Sequence, residues 1–490
     1  MQILPSRIDP ISWIETLAVH APHRAWLETD DGRVITYQML DLAVKQRAAQ
    51  LVRAGIMPGD RVAAQLEKSP EAVILYFSCL AIGAIYMPLN TGFTNAEIAY
   101  FVHDAEPAMF VGEGDRPTPG QTHTLADLDS VRAGAAADHV PFAPDMVAAM
   151  LYTSGTTGRP KGAMLTRANL ASNAAALAKA WAITADDVLI HALPIFHVHG
   201  LFIAINSITA AGGTMLFRSR FDPADVIAQM PRATLLMGVP TFYTRLLDRP
   251  ELGREATKAM RLFISGSAPL LPDTHRAFKA RTGHAILERY GMTETGINSS
   301  NPYRGVRIAG TVGPPLPGVD VRVTDPDQGS PLPAEMIGMI EVRGPNIFAG
   351  YWRNPEKTAA EFREGRWFIT GDLGKIDAAG YVHIIGRGKD LIITGGYNVY
   401  PKEVETEIDA LVGVEESAVI GVPHADFGEA VVAVVVAQTG AVLDPALMLA
   451  TLRTCLAAYK LPKAIHIVDA LPRNTMGKVQ KTALREVYAR

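Results

Sequence analysis

MVAAMLYTSGTTGRPKG, residues Met146 to Gly162, is an apolar run that breaks at Thr153 into a turn carrying three glycines, four hydroxyl residues and Lys161. A short apolar run bounded by turn residues predicts a buried strand over Met146–Tyr152. In the turn, the backbone N–H groups and the hydroxyls of Thr153, Ser154, Thr156 and Thr157 can wrap phosphate oxygens. Gly155 and Gly158 let the chain close around such a ligand, and Lys161 adds a positive charge. No Ser or Thr follows the lysine, so this is not the Walker A spacing. For this segment alone, a surface loop with a solvated lysine is the plainer alternative.

The flanking sequence extends the strand into an α/β pattern. Thr36 predicts the cap of a helix with Leu40, Val44 and Leu51 on one face and a stop at Gly55. A strand is expected at Arg61–Leu66, a helix from Ser69-Pro70-Glu71 to Gly83, and a strand at Ala84–Leu89, which together make a βαβ unit. The pattern recurs with a helix from Arg167, a strand at Val188–His191, a helix from Asp222 and a strand at Thr234–Val239. Gly200 to Phe217 reads as a buried helix running into a strand, too short and too interrupted for a bilayer span. From Gly310 the short strands broken by Gly and Pro predict a mainly antiparallel sheet or small barrel. Beyond Gly386-Arg387-Gly388-Lys389-Asp390, helices over Pro401–Leu411 and Ala446–Ala458 and strands over Ser417–Val422, Glu429–Gln438 and Ala464–Val468 predict a separate α+β domain. The fold class expected is α/β, a large multi-subdomain amino-terminal body of doubly wound sheets plus a small antiparallel β subdomain, with a smaller mobile α+β carboxyl-terminal domain. The domains expected are 1–386 and 391–490, with 387–390 as a hinge.

The chain of 490 residues carries 46 Lys and Arg against 50 Asp and Glu, a net charge of −4 that excludes a large positive field for nucleic acid. Its two cysteines, Cys79 and Cys455, exclude a disulfide scaffold or a Cys-rich metal site, and each reads as a buried thiol. The start MQILPSRIDP lacks a basic, apolar secretory signal, so a cytoplasmic location is expected.

Other segments carry polar residues suited to the same ligand. Tyr290-Gly291-Met292-Thr293-Glu294 puts a hydroxyl and a carboxylate just after a strand end, where Glu294 can hold a magnesium ion against phosphates. Thr370-Gly371-Asp372 places a carboxylate in a turn, suited to accept from ribose hydroxyls. Arg387 precedes the small domain, and Lys478 lies in Arg473-Asn474-Thr475-Met476-Gly477-Lys478. Together and in this order, SGTTGRPKG, YGMTE, TGD, GRGKD and NTMGK closely resemble the adenylate-forming superfamily of acyl-CoA synthetases, adenylation domains and luciferases. The resemblance implies a two-step reaction: an acid and ATP give an acyl-adenylate and pyrophosphate, and a thiol then displaces AMP. It further implies that Lys478 neutralises the meeting of acid and α-phosphate, that Glu294 holds Mg2+, and that Asp372 and Arg387 bind the ribose. Gly266, Ser267 and Ala268 with Tyr290 flank the adenine on this reading. Lys389 matches the hinge position, and Gly395, Gly396 and Tyr397 match the loop that approaches the CoA thiol. ATP, CoA and a small carboxylic acid are the substrates implied; nucleic acid and membrane insertion are not.

Phe196-His197-Val198-His199-Gly200 matches the acyl-pocket segment, with His197 over the bound carboxylate. A metal site on His191, His197 and His199 is the rival reading. Arg289, just before Tyr290, is the informative departure, because a guanidinium facing an alkyl chain is a buried charge without a partner. With LPIFHVHGLF and GVPTFYTRLL, this motif resembles malonyl-CoA synthetases, in which the arginine is expected to hold the distal carboxylate. Methylmalonate is also compatible. The alternatives are that Arg289 points at solvent, at Glu288 or at Glu294; that the acid is a short, medium or aryl monocarboxylate; or that the enzyme loads a carrier protein. Acylation of Lys478 by lysine-modifying enzymes is a further expectation, since it would remove the adenylation charge.

Overall fold

The computed structural model describes residues 9–113, 120–131, 141, 143–153, 160–394, 397–424, 427–474 and 477–489. The chain forms two compact units, divided at Val321/Arg322, Glu341/Val342 and Phe368/Ile369.

The first unit holds two large sheets. Strand Val147–Thr153 turns antiparallel into Lys161–Thr166 within a seven-stranded sheet. Beside it, Arg61–Gln65 runs parallel to Ile85–Pro88 and to Met109–Gly112, the expected βαβ arrangement. The eight-stranded sheet is built on parallel neighbours Leu235–Gly238, Leu262–Ser265, Val188–His191 and Thr214–Phe217. Strand Leu287–Met292 joins Leu262–Ser265 in parallel, then folds back as a hairpin onto Gly296–Ser300.

Helix Pro70–Ile82 is apolar all round because both of its sides are covered. Tyr76 packs on Tyr86 of one sheet with ring centres 5.5 Å apart, and Phe77 meets Trp26 of the other edge-on at 6.2 Å. Ser69 Oγ accepts from Ala72 N at its start, and Gly83, at φ +74°, ends it. The Gly200–Phe217 segment is a helix running into a strand, as expected, but its first turns, His199–Ile205, are π-helical and wholly buried. Among the described residues, no helix is long and apolar enough to cross a membrane.

In the second unit, Trp367–Ile376 and Val382–Arg387 form an antiparallel hairpin belonging to a five-stranded sheet, as the texture beyond Gly310 predicts. The carboxyl-terminal sheet centres on Gly428–Ala437, flanked by Val414–His424 and Ala464–Val468. Within it, Ala430–Ala437 is a continuous apolar run because both faces are covered. Val431, Ala433 and Val435 pack with Val404 and Ile408 of helix Pro401–Asp409, whereas Val432, Val434 and Val436 pack with Leu484. The helix expected to reach Ala458 ends at Leu452, where the hydroxyls of Thr451 and Thr454 bond backbone carbonyls. Cys79 is buried, but Cys455 is exposed, contrary to expectation: Leu452 and Leu456 take the inward positions of that turn.

Candidate active site

Alternation along Leu287–Met292 sends neighbouring side chains to opposite faces. Glu288 turns to one side, where its Oε1 accepts from Gly310 N at 3.1 Å, and burial pushes its carboxyl up to about 8. Arg289 turns to the other. Its side chain is buried, with the residue only 6% exposed, and lies over Gly266, where an added Cβ would fall 2.3 Å from the guanidinium carbon. Nε and Nη2 of Arg289 have no hydrogen-bond partner, and burial pulls the guanidinium down to about 9. The expectations that Arg289 faces solvent, Glu288 or Glu294 are therefore corrected. Strand alternation separates it from Glu288, and Glu294 is engaged elsewhere.

Ser267 and His199 lie beside this cation. Ser267 takes the left-handed conformation at φ +70°, a strained position for a residue with a side chain, and its Oγ lies 3.2 Å from His199 Nδ1. His199 Nε2 is buried without a partner. Burial first, then the charge of Arg289, holds the His199 imidazole well below its ordinary value. His197 is half-buried, and its Nδ1 accepts from His199 N at 3.5 Å. His191 points its Nε2 at Gly200 O, 2.9 Å away, and stacks on Phe217.

A second cluster gathers residues far apart in sequence. Thr153 Oγ1 donates to Glu294 Oε1 at 3.2 Å, across a separation of 141 residues. Glu294, 5% exposed, also lies 3.1 Å from the Tyr351 hydroxyl. Lys161 Nζ pairs with Glu361 at 3.7 Å and sits 5.1 Å from the Tyr351 ring centre. Burial lowers the Lys161 ammonium. Gly291 is required where it stands, because a Cβ there would fall 1.8 Å from Gly296 O at the hairpin's register shift. Tyr290 is buried, and Thr293 and Ala268 are half-buried. Ser154, Gly155, Thr156, Thr157 and Gly158 lie outside the described residues. Glu294 and Thr153 offer hard oxygen donors, a set that fits Mg2+.

In the second unit, Asp372 and Arg387 are cross-strand partners, with Nε 3.0 Å from Oδ1. Gly371, at φ +74°, makes the bend, and Arg387 Nη1 donates to Thr370 O at 3.1 Å. Lys389 is exposed, while its neighbour Asp390 is tied to Arg485 at 2.7 Å. Lys478 is exposed in a tight loop in which its N–H donates to Asn474 Oδ1 at 2.9 Å and Gly477 adopts φ +74°. Tyr397, 60% exposed, stacks on Tyr459. Gly395 and Gly396 lie outside the described residues.

The sequence assigns no role to Tyr351 or Glu361. His199 stood inside a singled-out motif, but Tyr351 and Glu361 follow a different strand and carry no local signal of their own.

The first unit therefore presents Thr153 and Lys161, which flank the phosphate-type sequence, beside a buried carboxylate and, separately, a buried cation. The AMP-binding enzyme family profile matches residues 14–352, and that of the AMP-binding enzyme C-terminal domain matches residues 403–478. The chain belongs to the AMP-binding enzyme family. Within it the chain is an ATP-dependent acyl-CoA ligase. It is similar to the crystal structure of ATP-bound MatB from Rhodopseudomonas palustris, with TM-score 0.94 and 54% identity over 100% of this chain and 99% of that one. A feruloyl-CoA synthase of Amycolatopsis sp is 37% identical over 97% of this chain and 98% of its own length. The mitochondrial malonate–CoA ligase of Mus musculus is 34% identical over 89% of this chain and 83% of its own.

Two outcomes follow from this geometry. Gly266→Ala drives a methyl into the far end of a flexible side chain, so the fold survives and the Arg289 guanidinium moves. Overpacking should cost about 1–3 kcal/mol of stability, and the displaced guanidinium should lower kcat/KM for the acid by roughly one to two decades, read by pyrophosphate release beside the melting temperature. The Glu288 carboxyl, raised to about 8 from 4.5, keeps a proton in the folded state that the unfolded chain has released. Stability should therefore fall as pH rises from about 5 to about 8, and urea midpoints should show a flatter profile for Glu288→Gln.

Proposed function

We propose that the chain is a malonate–CoA ligase: malonate and ATP give malonyl-adenylate and pyrophosphate, and the CoA thiol then takes the malonyl group and releases AMP. The observation that carries this reading is Arg289, a buried guanidinium whose Nε and Nη2 lack partners. A second carboxylate satisfies it with paired, charge-assisted hydrogen bonds; an alkyl or aryl chain leaves it unpaired. The likeness to the malonate–CoA ligase of Mus musculus supports the same acid. A ligase for an aryl monocarboxylate is the second reading, favoured by the 37% identity to feruloyl-CoA synthase.

On this proposal each cluster has a task. A carboxylate resists attack because of its charge and its poor leaving group, and exchanging oxide for AMP removes both obstacles. His197 contacts the reacting carboxylate. Thr153 to Gly158 and Lys161 cradle the triphosphate, and Glu294 holds Mg2+, which when bound neutralises phosphate charge. Gly266, Ser267, Ala268, Tyr290, Gly291 and Thr293 line the nucleotide, and Asp372 with Arg387 holds the ribose. Lys478 supplies cationic stabilisation as two anions meet in adenylation. Residues 387–390, with Lys389, form the hinge between domains 1–386 and 391–490, and Gly395, Gly396 and Tyr397 approach the CoA thiol.

Arg289→Ala tests the acid assignment. Removing one member of a buried ion pair costs roughly 3–5 kcal/mol, about two to four decades, so kcat/KM for malonate should collapse by that much while MgATP binding persists. Equal loss with malonate and monocarboxylates would sink the assignment. Half-reaction assays separate the two steps. Lys478→Ala should lose adenylation yet convert supplied malonyl-adenylate to the thioester, and Lys389→Pro should do the reverse; parallel loss of both steps in either variant would contradict the assigned roles.

A further inference from the structure

Lys161 and Glu294 are joined by residues to which the reaction above gives no task. The Tyr351 hydroxyl lies 2.6 Å from Glu361 Oε2 and 3.1 Å from Glu294 Oε1. A phenol has one proton, so the hydroxyl donates to one of these carboxylates at a time and can hold either of them. The other Glu361 oxygen is shared by two lysines, Lys357 at 2.7 Å and Lys161 at 3.7 Å. These groups are placed by a short loop. Gly350–Tyr351 pairs antiparallel with Lys161–Thr166, setting Tyr351 opposite Ala163. Helix Pro355–Ala360, capped by Asn354, then carries the chain back, and Thr358 Oγ1 accepts from Tyr351 N at 2.9 Å, fixing the start of the loop against the helix.

We propose that Glu361 is a positioning residue of the nucleotide site: its carboxylate holds the Lys161 ammonium and, through the Tyr351 hydroxyl, braces the carboxylate of Glu294. The inference rests on the reading of Lys161 and Glu294 as phosphate and Mg2+ residues. Lysine has a long flexible side chain, and ordering it before the nucleotide arrives removes that ordering loss from binding. The arrangement also opposes binding, because Glu361 competes with phosphate for the same ammonium. Lys357 decides between these effects. It is the nearer of the two lysines, so Glu361 keeps a partner when Lys161 turns to phosphate, and pre-ordering dominates.

The test is calorimetric titration of MgATP into the full-length protein, alongside melting temperatures and the KM for malonate. Glu361→Gln should weaken MgATP binding by about tenfold, Glu361→Asp should recover part of the loss, and the malonate KM should stay within about twofold throughout. Tyr351→Phe should raise the magnesium concentration needed for half-maximal ATP binding. Unchanged or tighter MgATP binding by Glu361→Gln, at an unchanged melting temperature, would overturn the inference, as would a malonate KM rising in parallel. If Glu361→Gln fails to melt cooperatively, Glu361→Asp read in the same way decides. Failure of the wild type itself to bind MgATP would instead overturn the phosphate-site reading.

Discussion

Burying the Arg289 guanidinium against Gly266 withdraws a charge from water, and among the described residues no carboxylate pairs with its Nε or Nη2. Strand alternation turns Glu288 to the opposite face, and His199 is kept neutral by its own burial. An uncompensated buried charge is among the least favourable features a fold can carry, and it persists where a ligand completes it. The glycine at 266, the strained Ser267 and the π-helical turns that begin at His199 are local irregularities gathered around the same group. Irregular backbone at one place in an otherwise regular sheet is where a fold gives up stability for function.

The second constraint is the convergence of strand ends. Thr153 closes one sheet's strand and Glu294 follows a strand of the other, yet they share a hydrogen bond. Thr153, where the phosphate-type sequence begins, thus meets a carboxylate that sequence order separates from it by 141 residues. In the other unit, Asp372 and Arg387 are register partners in one antiparallel hairpin, beyond its shift at Leu373/Gly374.

Much of this was legible in the sequence, for reasons that can be named. Thr36, Ser69 and Asp222 are hydroxyl or carboxylate caps and Gly83 is a left-handed stop, signals that act locally and so survive any tertiary context. Val188–His191 and Ala464–Val468 fell where their apolar runs placed them. The sequence reads Arg289 as facing the acid pocket but leaves solvent, Glu288 and Glu294 open as alternatives, since the choice between two faces of a strand depends on what packs on each. The exposure of Cys455 was hidden because a lone apolar residue near a helix end carries no phase information. Tyr351 and Glu361 were illegible for a different reason. Their geometry is made by a loop that pairs with a distant strand, and an ion pair across such a loop leaves no spacing to read.

On the proposed function, Arg289 is the buried cation that selects a diacid. The most direct measurement is CoA-dependent AMP formation by the unmodified protein with malonate, succinate, butanoate and benzoate under identical magnesium-ATP. The prediction is a kcat/KM for malonate at least about 100-fold above that of either monocarboxylate, the scale of one buried ion pair. A monocarboxylate used as well as malonate would contradict it and return Arg289 to a role in the fold alone.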